Sequence, residues 1–336
     1  MEEEDQKGMS KKEANKYLSF LIKEWSKAEN EKDRLNAFLT LRKLVSKNEF
    51  LMEKAMKMIY LAFVRESKQY TDLTHQRFIV MRNCVTELYA MDTVTAYQHA
   101  FVYIRQLAIH VRNAMTSLSE TEIHSVYNWQ FMNCLRLWTY MAVQPSLQEA
   151  FKPLVYPLIQ VIDSTVMLIP TARYYPMRLH CADLYNQLIS ATGVFIPVAP
   201  LLLDVIENEK FMEKPGHVTA KPPDTNFAIK ISKTFLTSRA VQDALVSRAI
   251  ALLADYLKLM EKNVAFPELA YPIARSLKMY AKKCKVSQWS TATKALAQKL
   301  EKQIESVIRA REKITGAPGD LKDRSEERRV GKECRS

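Results

Sequence analysis

The sequence predicts an all-α protein, and three observations support this fold class. Apolar residues recur at intervals of three and four along most of the 336 residues, which is the spacing of one face of an α-helix. The alternation of apolar and polar residues that marks a strand is not evident. The chain has only 6 glycines, and several of its 13 prolines fall where the apolar periodicity is interrupted. These features predict consecutive helices with short connections.

The periodicity predicts about a dozen helices. Their predicted spans are 12–27, 30–46, 48–66, 71–90, 93–117, 120–143, 146–168, 174–192, 197–208, 238–262, 266–285 and 288–314. Short polar side chains can accept hydrogen bonds from the first amides of a helix, and the residues expected to do so are Asn48, Asp72, Ser119 and Ser238. Prolines fit the expected helix ends at 145, 170, 197 and 267. Gly193 is predicted to end a helix in left-handed geometry.

The predicted helix 93–117 shows the periodicity clearly. Its apolar stripe consists of Phe101, Ile104, Leu107, Ala108, Val111, Ala114 and Met115. Arg105 and Arg112 are seven residues apart and share another face of the helix. We expect the apolar stripe to pack against neighbouring helices.

Sequential helices of this length favour an α-solenoid of HEAT or armadillo type, in which each helical hairpin packs on the next. No clean sequence repeat is present, so the prediction depends on the number and spacing of the helices. We predict a disordered tail over 1–10, a helical-repeat core over 11–208, an irregular surface loop over 209–236, a basic helical segment of the same solenoid over 237–314, and a disordered tail over 315–336.

The last thirteen residues form a separate segment. Arg324 to Ser336 reads RSEERRVGKECRS, which resembles the in-frame translation of a common sequencing adapter. We interpret residues 324–336 as an artefact and exclude them from the fold. Their removal takes the net charge from +12 to +10. The four remaining cysteines are far apart in apolar helical contexts, which indicates buried reduced thiols: Cys84, Cys134, Cys181 and Cys284.

Positive charge is concentrated near the C-terminus. Residues 261–313 hold 12 basic and 5 acidic residues, whereas residues 120–200 hold 4 basic and 5 acidic. One interpretation is a surface that binds RNA phosphates. The other is a solvated helix face whose charges pair with Glu301, Glu305 and Glu312. The candidate RNA contacts are Lys278, Lys282, Lys283, Lys285, Lys294 and Lys299.

Two segments are rich in aromatic residues. In the segment from Tyr127 to Trp138 (YNWQFMNCLRLW), aromatic side chains recur at helical spacing. They could form part of the solenoid core, or they could line a groove that binds a partner. Arg173 to His180 (RYYPMRLH) could stack unpaired RNA bases or could start a helix, with Arg173 capping neighbouring carbonyls. The candidate residues of these segments are Tyr127, Asn128, Trp129, Gln130, Trp138, Arg173, Tyr174, Arg178 and His180.

Signals for catalysis, metals and membranes are weak. His180 adjoins Cys181, but neighbouring residues on a helix point about 100° apart and do not form a catalytic dyad. The sequence has no glycine-rich phosphate loop, no nucleophile elbow and no closely spaced Cys/His set. No apolar stretch is long enough for a transmembrane helix. We therefore predict a protein that is not an enzyme and uses no cofactor, metal, small-molecule substrate or membrane.

Several long segments resemble the nucleolar complex protein 2 family. They are ELYAMDTVTAYQHAFVYIRQLAIHVRNA at 87–114, VYNWQFMNCLRLW at 126–138, the stretch from PLVYPLIQ to PLLLDVI at 153–206, and NVAFPELAYPIARSLKMYAKKCK at 263–285. The last segment adds Phe266, Pro267 and Glu268 to the partner-interface or core candidates. Members usually carry a long charged extension before the helical core, whereas here the core follows Met1 almost at once.

The resemblance implies a non-enzymatic ribosome-assembly factor with an α-solenoid fold, located in the nucleolus and nucleoplasm. It implies pairing with nucleolar complex proteins 1 and 3, and association with large-subunit precursors and their rRNA during maturation and transport. We expect a scaffold whose concave face and Tyr127–Trp138 region bind a partner, and whose basic end binds RNA. The alternative is a helical-repeat adaptor or transport protein that binds peptide segments without RNA.

Overall fold

The computed structural model describes residues 9–216 and 218–312. Within these residues every regular element is an α- or 3₁₀-helix, and no strand is present, so the all-α prediction is confirmed. The chain divides into two compact units, Met1–Ile169 and Pro170–Ser336. The predicted tail 315–336, with its adapter-like part 324–336, and residues 1–8 of the predicted N-terminal tail lie outside the described residues.

The described residues of the first unit form eight α-helices. They are α1 (Lys11–Lys27), α2 (Glu31–Lys47), α3 (Met52–Glu66), α4 (Asp72–Tyr89), α5 (Thr93–Ser117), α6 (Glu120–Val126), α7 (Trp129–Val143) and α8 (Gln148–Met167). The helix α1 packs on α2 and α3, and α4 packs on α2 and α3. The helix α7 contacts α3, α4, α5 and α8 and therefore forms the centre of this unit.

The start of the first unit is fixed by a polar cap and a buried arginine. Ser10 caps α1, since its hydroxyl accepts a hydrogen bond from the Glu13 amide at 3.3 Å. Arg34 of α2 is 1% exposed and donates to the Trp25 carbonyl at 2.6 Å and to the Ala28 carbonyl. These carbonyls belong to the C-terminal end of α1, where no helical amide remains to pair with them. Arg34 thereby joins α1 and α2 into a hairpin.

The predicted helix 120–143 is two helices. Asn128 breaks it by capping α7, because its Oδ1 accepts a hydrogen bond from the Phe131 amide at 2.9 Å. Among the predicted caps, the Ser119 hydroxyl accepts from the Glu122 amide at 3.3 Å, whereas Asp72 lies inside α4 and Thr71 occupies its N-cap. Gly193 ends its helix with φ 68°, as predicted.

The apolar stripe predicted for α5 is only partly buried. Its members Ile104, Leu107, Val111 and Ala114 are buried. Phe101 and Met115 are 47% and 49% exposed, and Ala108 is exposed as well. The prediction was wrong for these three because spacings of three and four continue around a helix and do not show which side is covered.

Six α-helices are present in the part of the second unit that the structure describes. They are α9 (Tyr175–Thr192), α10 (Ala199–Ile206), α11 (Lys233–Leu236), α12 (Arg239–Met260), α13 (Phe266–Lys283) and α14 (Ser287–Glu312). The helices α9, α10 and α12 pack together, α14 also contacts α12, and α13 and α14 form the most extensive helix pair. The predicted starts and ends of α12, α13 and α14 agree with these bounds to within a few residues.

The segment 209–236, interpreted as an irregular surface loop, is largely irregular but partly buried. Short 3₁₀ turns occur at Glu209–Met212 and Thr225–Phe227, and Phe211 and Ile231 are 2% and 0% exposed. The Ile231 amide donates to the Arg173 carbonyl at 2.7 Å. Residues 224–231 therefore form a strap bonded to the rest of the second unit.

Candidate functional site

Tyr127 and Asn128 support the fold of the first unit. The Tyr127 hydroxyl donates to the Thr165 carbonyl and accepts from the Ile169 amide, each at 3.0 Å. The Asn128 amide group donates to the His124 carbonyl at 2.8 Å, and its oxygen caps α7. Both side chains satisfy backbone groups that a helix end leaves without partners, so the structure places them in structural roles.

Trp129 and Gln130 begin α7 at partial exposure. The Trp129 ring lies 4.7 Å from the Tyr70 ring, and the Arg136 guanidinium lies 5.3 Å from the Trp129 ring centre. The Gln130 side chain donates to the Val64 carbonyl at 2.8 Å. These contacts fasten the start of α7 to the rest of the unit.

Trp138 lies in the core of the first unit. It is 0% exposed, and its ring centre lies 5.2 Å from Tyr60, 5.9 Å from Tyr89 and 6.2 Å from Tyr103. Burial raises the pKa of the Tyr60 and Tyr89 hydroxyls well above their ordinary value. This aromatic cluster holds α3, α4, α5 and α7 together and presents no surface to a partner at Trp138.

Arg173 and Tyr174 lie against the strap of the second unit. The Arg173 Nε donates to the Ile231 carbonyl at 3.4 Å. The Lys230 ammonium lies 5.7 Å from the Tyr174 ring centre. Arg173 thus donates to a carbonyl of a neighbouring segment. This contact agrees with the hypothesis that Arg173 caps carbonyls at a helix start, and not with the hypothesis of base stacking.

Arg178 and His180 are buried polar residues of α9. Arg178 pairs with Asp204, and its guanidinium lies 5.1 Å from the Tyr175 ring centre. His180 is 2% exposed; the Arg248 guanidinium donates to its Nδ1 at 2.9 Å, and its Nε2 lies 3.1 Å from the Ala228 carbonyl oxygen. Since a guanidinium only donates, these partners require the neutral tautomer with the proton on Nε2. His180 therefore ties the strap to α12.

Phe266, Pro267 and Glu268 start α13. Phe266 and Pro267 are buried. Glu268 is exposed and pairs in bidentate fashion with Arg311 of α14, with both N–O distances 2.7 Å. The Arg311 guanidinium, which donates to both carboxylate oxygens, lowers the pKa of Glu268 to about 2. This ion pair fixes the open end of the α13–α14 hairpin.

The candidate RNA-contacting lysines all lie on the α13–α14 hairpin and are exposed. Lys278 pairs with Glu301 of α14. Lys294 is two helical turns from Glu301 and so lies on the side of α14 that faces Lys278, whereas Lys299 is two residues from Glu301 and points elsewhere. Among the described residues, five of these lysines form no ion pair: Lys282, Lys283, Lys285, Lys294 and Lys299.

Two further residues belong to this surface and were not among the predicted candidates. Tyr271 is 65% exposed and Arg275 is exposed. They lie at seven and three residues before Lys278 and therefore share its face. Tyr280, which lies among the lysines in sequence, is buried at 4% exposure. The spacing 271, 275, 278 and 282 was the signal that could have found Tyr271 and Arg275. We call Tyr271, Arg275, Lys278, Lys282, Lys283, Lys285 and Lys294 the basic surface.

Two further findings concern ligands and membranes. Within the described part of the chain, no group of three or more His, Cys, Asp or Glu side chains is placed to hold a metal ion. Among residues 9–216 and 218–312, no helix has both the length and the apolar character needed to cross a lipid bilayer.

Three of the cysteines, Cys84, Cys134 and Cys181, are buried, and Cys284 is partly exposed.

Comparison with known proteins identifies several relatives. The chain is 33% identical over 307 residues to nucleolar complex protein 2 of Drosophila melanogaster, covering 91% of this chain and 40% of the fly protein. It is 34% identical over 284 residues to nucleolar complex-associated protein 2 of Arabidopsis thaliana, covering 84% of this chain and 37% of that protein. The chain thus spans about two fifths of the length of these relatives.

The same comparison defines the family. A nucleolar complex protein 2 homolog of Caenorhabditis elegans is 32% identical over 264 residues, or 76% of this chain and 37% of the worm protein. Residues 50–330 match the Noc2p family, and this range includes both candidate aromatic segments and the basic surface. The described part of the match extends from α3 to the end of α14. Since the match covers most of the chain, this protein belongs to the Noc2p family.

Proposed function

We propose that this protein is a non-enzymatic scaffold in the assembly of the large ribosomal subunit. Two sets of observations support the proposal. The relatives are named as nucleolar complex proteins, and the described residues form packed helices with an exposed basic surface, most of whose charges form no ion pair, and no metal-binding cluster. The proposed location is the nucleolus and nucleoplasm, and the proposed partners are nucleolar complex proteins 1 and 3. The proposed role includes intranuclear transport of the precursors.

The proposed architecture for this role is an α-solenoid of HEAT or armadillo type. Its support comes from the first unit, where the α1–α2 hairpin packs on α3 and α4 through α1 against α3 and α2 against α4. Stacking of successive hairpins in register is the packing that defines such repeats. In the second unit, α13 and α14 form another hairpin, which also packs on α12 through α14.

The basic surface carries the proposal for RNA binding. Apart from Lys285, which lies in the connection, its lysines project from two helices whose apolar sides are buried, so the charges are held on a rigid support. The absence of ion pairs at Lys282, Lys283 and Lys285 among the described residues leaves their charge available to phosphates. The exposed ring of Tyr271 adds a platform on which an unpaired base can stack. We therefore propose precursor rRNA as the ligand of this surface.

Charge reversal at the hairpin turn tests RNA binding. The variant Lys282→Glu/Lys283→Glu/Lys285→Glu should bind large-subunit precursor rRNA fragments more weakly than the wild-type chain. Each lost phosphate contact reduces the slope of log K against log salt by about 0.7 on single strands, so the slope should fall by about 2. Affinity is measured by filter binding at several salt concentrations.

The matched control changes three exposed lysines of α1, in the variant Lys12→Glu/Lys16→Glu/Lys23→Glu. It alters the net charge by the same amount but leaves the basic surface intact. Its salt slope should equal that of the wild type. Equal affinity and equal slope for the folded hairpin variant and the wild type would show that the basic surface does not bind RNA.

A further inference from the structure

The outer side of α5 is an exposed apolar surface with embedded positive charge. Val94, Phe101 and Met115 are 68%, 47% and 49% exposed. Arg105, Ala108 and Arg112 are exposed between them. The spacings of seven, four, three, four and three residues place all six on one side of the helix. We call these six residues the α5 outer face.

The geometry of the α5 outer face suits an extended helical ligand. From Val94 to Met115 the face runs for about 30 Å at the rise of an α-helix. The adjacent side of α5, with Ala100, Ile104 and Val111, is buried against the unit, so the helix is rigidly supported. Leu118 directly after α5 adopts a left-handed conformation at φ 50° and is 63% exposed. It adds an apolar side chain at the end of the face.

The charge on this face is entirely positive. The 25 residues of α5 include no Asp or Glu. Arg105 and Arg112 form no ion pair with any residue in the described ranges. They are two helical turns apart, about 10 Å along the axis. Their guanidinium groups are therefore available to two carboxylates at a matching separation.

We propose that the α5 outer face binds an acidic amphipathic helix of a partner protein. The partner's apolar residues would cover Phe101, Ala108 and Met115, and two carboxylates about two turns apart would pair with Arg105 and Arg112. This assigns a surface and a partner chemistry to the scaffold role proposed above, on which it rests for the existence of a protein partner. The α5 outer face thereby replaces the Tyr127–Trp138 region as the proposed partner-binding surface, because Trp138 is fully buried.

Charge and composition favour this occupant over two others. A second copy of the chain placed face to face would bring like-charged arginines together, which opposes association. RNA binding uses a groove of several cations with successive stacking rings, whereas this face offers two arginines and the single ring of Phe101. Its other members, Val94, Ala108 and Met115, neither stack on a base nor bond a phosphate. An acidic amphipathic helix satisfies both the apolar and the positive components of the face.

Photo-cross-linking at the face tests the proposal. The full chain carrying p-benzoylphenylalanine at position 101 is irradiated in nuclear extract with and without nuclease, and the cross-linked peptide is sequenced by mass spectrometry. We expect a nuclease-resistant cross-link to a peptide with apolar residues at spacings of three and four and interleaved Asp or Glu. The variant Arg105→Glu/Arg112→Glu should reduce its yield about tenfold.

Matched controls separate this surface from general charge and from RNA binding. The variant Lys16→Glu/Lys23→Glu reverses two exposed residues seven apart on α1 and should leave the yield unchanged. Arg105→Gln/Arg112→Gln, checked for fold by circular dichroism, provides a second variant that should also lower the yield. The amount of precursor rRNA recovered without nuclease treatment is measured separately. This amount should be the same for the wild-type chain and for the arginine variants.

Four results would overturn the proposal. They are no cross-link at position 101, a cross-link to RNA or to a second copy of the chain, a cross-linked peptide without acidic residues, and a yield unaffected by both arginine variants. A normal recovery of precursor rRNA alongside any of these results would contradict the α5 surface alone. If the wild-type chain recovered no precursor rRNA, the proposed function itself would be contradicted.

Discussion

The aromatic segment of α7 and the basic segment of the α13–α14 hairpin are the two most distinctive stretches of the sequence, and the first is largely buried whereas the second is largely exposed. Trp138 of α7 is 0% exposed and lies among three tyrosines. Lys282, Lys283 and Lys285 are exposed without ion pairs among the described residues. An unusual density of aromatic residues here builds the fold, whereas an unusual density of lysines supplies a surface. This contrast has measurable consequences for stability and for binding.

The largest effect is expected in the core of the first unit. Trp138→Ala removes the ring that packs on Tyr60, Tyr89 and Tyr103, and should lower the free energy of unfolding by about 3–5 kcal/mol. Trp129→Ala, in the same helix but partly exposed, should cost roughly half as much or less. Urea unfolding followed by circular dichroism measures both. Similar losses for the two variants would mean that Trp138 is not the centre of the core.

A smaller effect is expected at the strap of the second unit. His180→Phe keeps an aromatic ring but removes the bonds to Arg248 and to the Ala228 carbonyl. Buried groups left without partners cost about 1–3 kcal/mol, so this variant should be destabilised by that amount and cleaved sooner by protease within 213–224. His124→Phe, whose side chain is 65% exposed, is the control and should behave as wild type. Unchanged cleavage of the His180 variant would show that the strap is held by other contacts.

A still smaller, pH-dependent effect is expected at the Glu268–Arg311 pair. The pKa of Glu268 falls from its ordinary value of 4.5 to about 2 in the folded protein. A carboxyl with a depressed folded pKa stabilises the protein above its unfolded pKa and loses this contribution as pH falls towards the folded value. Glu268 is 65% exposed, so its contribution should stay below about 1 kcal/mol.

The measurement compares wild type with Glu268→Gln in urea at pH 7 and at pH 3. The difference in the free energy of unfolding should be present at pH 7 and should shrink at pH 3, where Glu268 in the unfolded chain is protonated. It should also decrease in high salt because the pair is accessible to ions. A difference that grows on acidification would contradict the assigned ion pair.

The smallest effect on stability per substituted residue is expected at the hairpin lysines. Lys282→Glu/Lys283→Glu/Lys285→Glu changes exposed side chains without ion pairs, so the free energy of unfolding should change by less than about 0.5 kcal/mol per residue. The same variant should lose RNA affinity, as described above. A large loss of stability would show that the lysines support the fold. It would contradict the distinction between Trp138, which builds the core, and the lysines, which supply a surface.

Local sequence signals predicted the helices well, and the reasons for the errors are physical. The break between α6 and α7 was missed because apolar periodicity continues across Tyr127 and Asn128, although Asn128 is a cap residue three positions before Phe131. The ion pair between Lys278 and Glu301 depends on the register of the α13–α14 hairpin, which helical spacing alone does not fix. The bonds of His180 reach residues 48 and 68 positions away, so no local pattern could reveal them.

Local sequence patterns also could not show which candidate residues are exposed. Lysines are rarely buried, so the exposure of Lys282 and Lys283 followed from residue type. Aromatic and aliphatic residues occupy both cores and interfaces, so the sequence could not show that Trp138 lies inside while Phe101 and Met115 lie outside. The contacts that bury a given side of a helix are made by helices distant in sequence, as in the packing of α5 against α8.

Affinity purification of the whole chain from nuclear extract, with and without nuclease, tests the scaffold role most directly. Bound proteins are identified by mass spectrometry and bound RNA by sequencing. We expect recovery of large-subunit precursor rRNA from the untreated extract, and of a nucleolar complex protein that remains bound after nuclease treatment. Recovery of a single cytoplasmic cargo with no ribosomal precursor would contradict the scaffold role and would favour an adaptor that binds peptide segments.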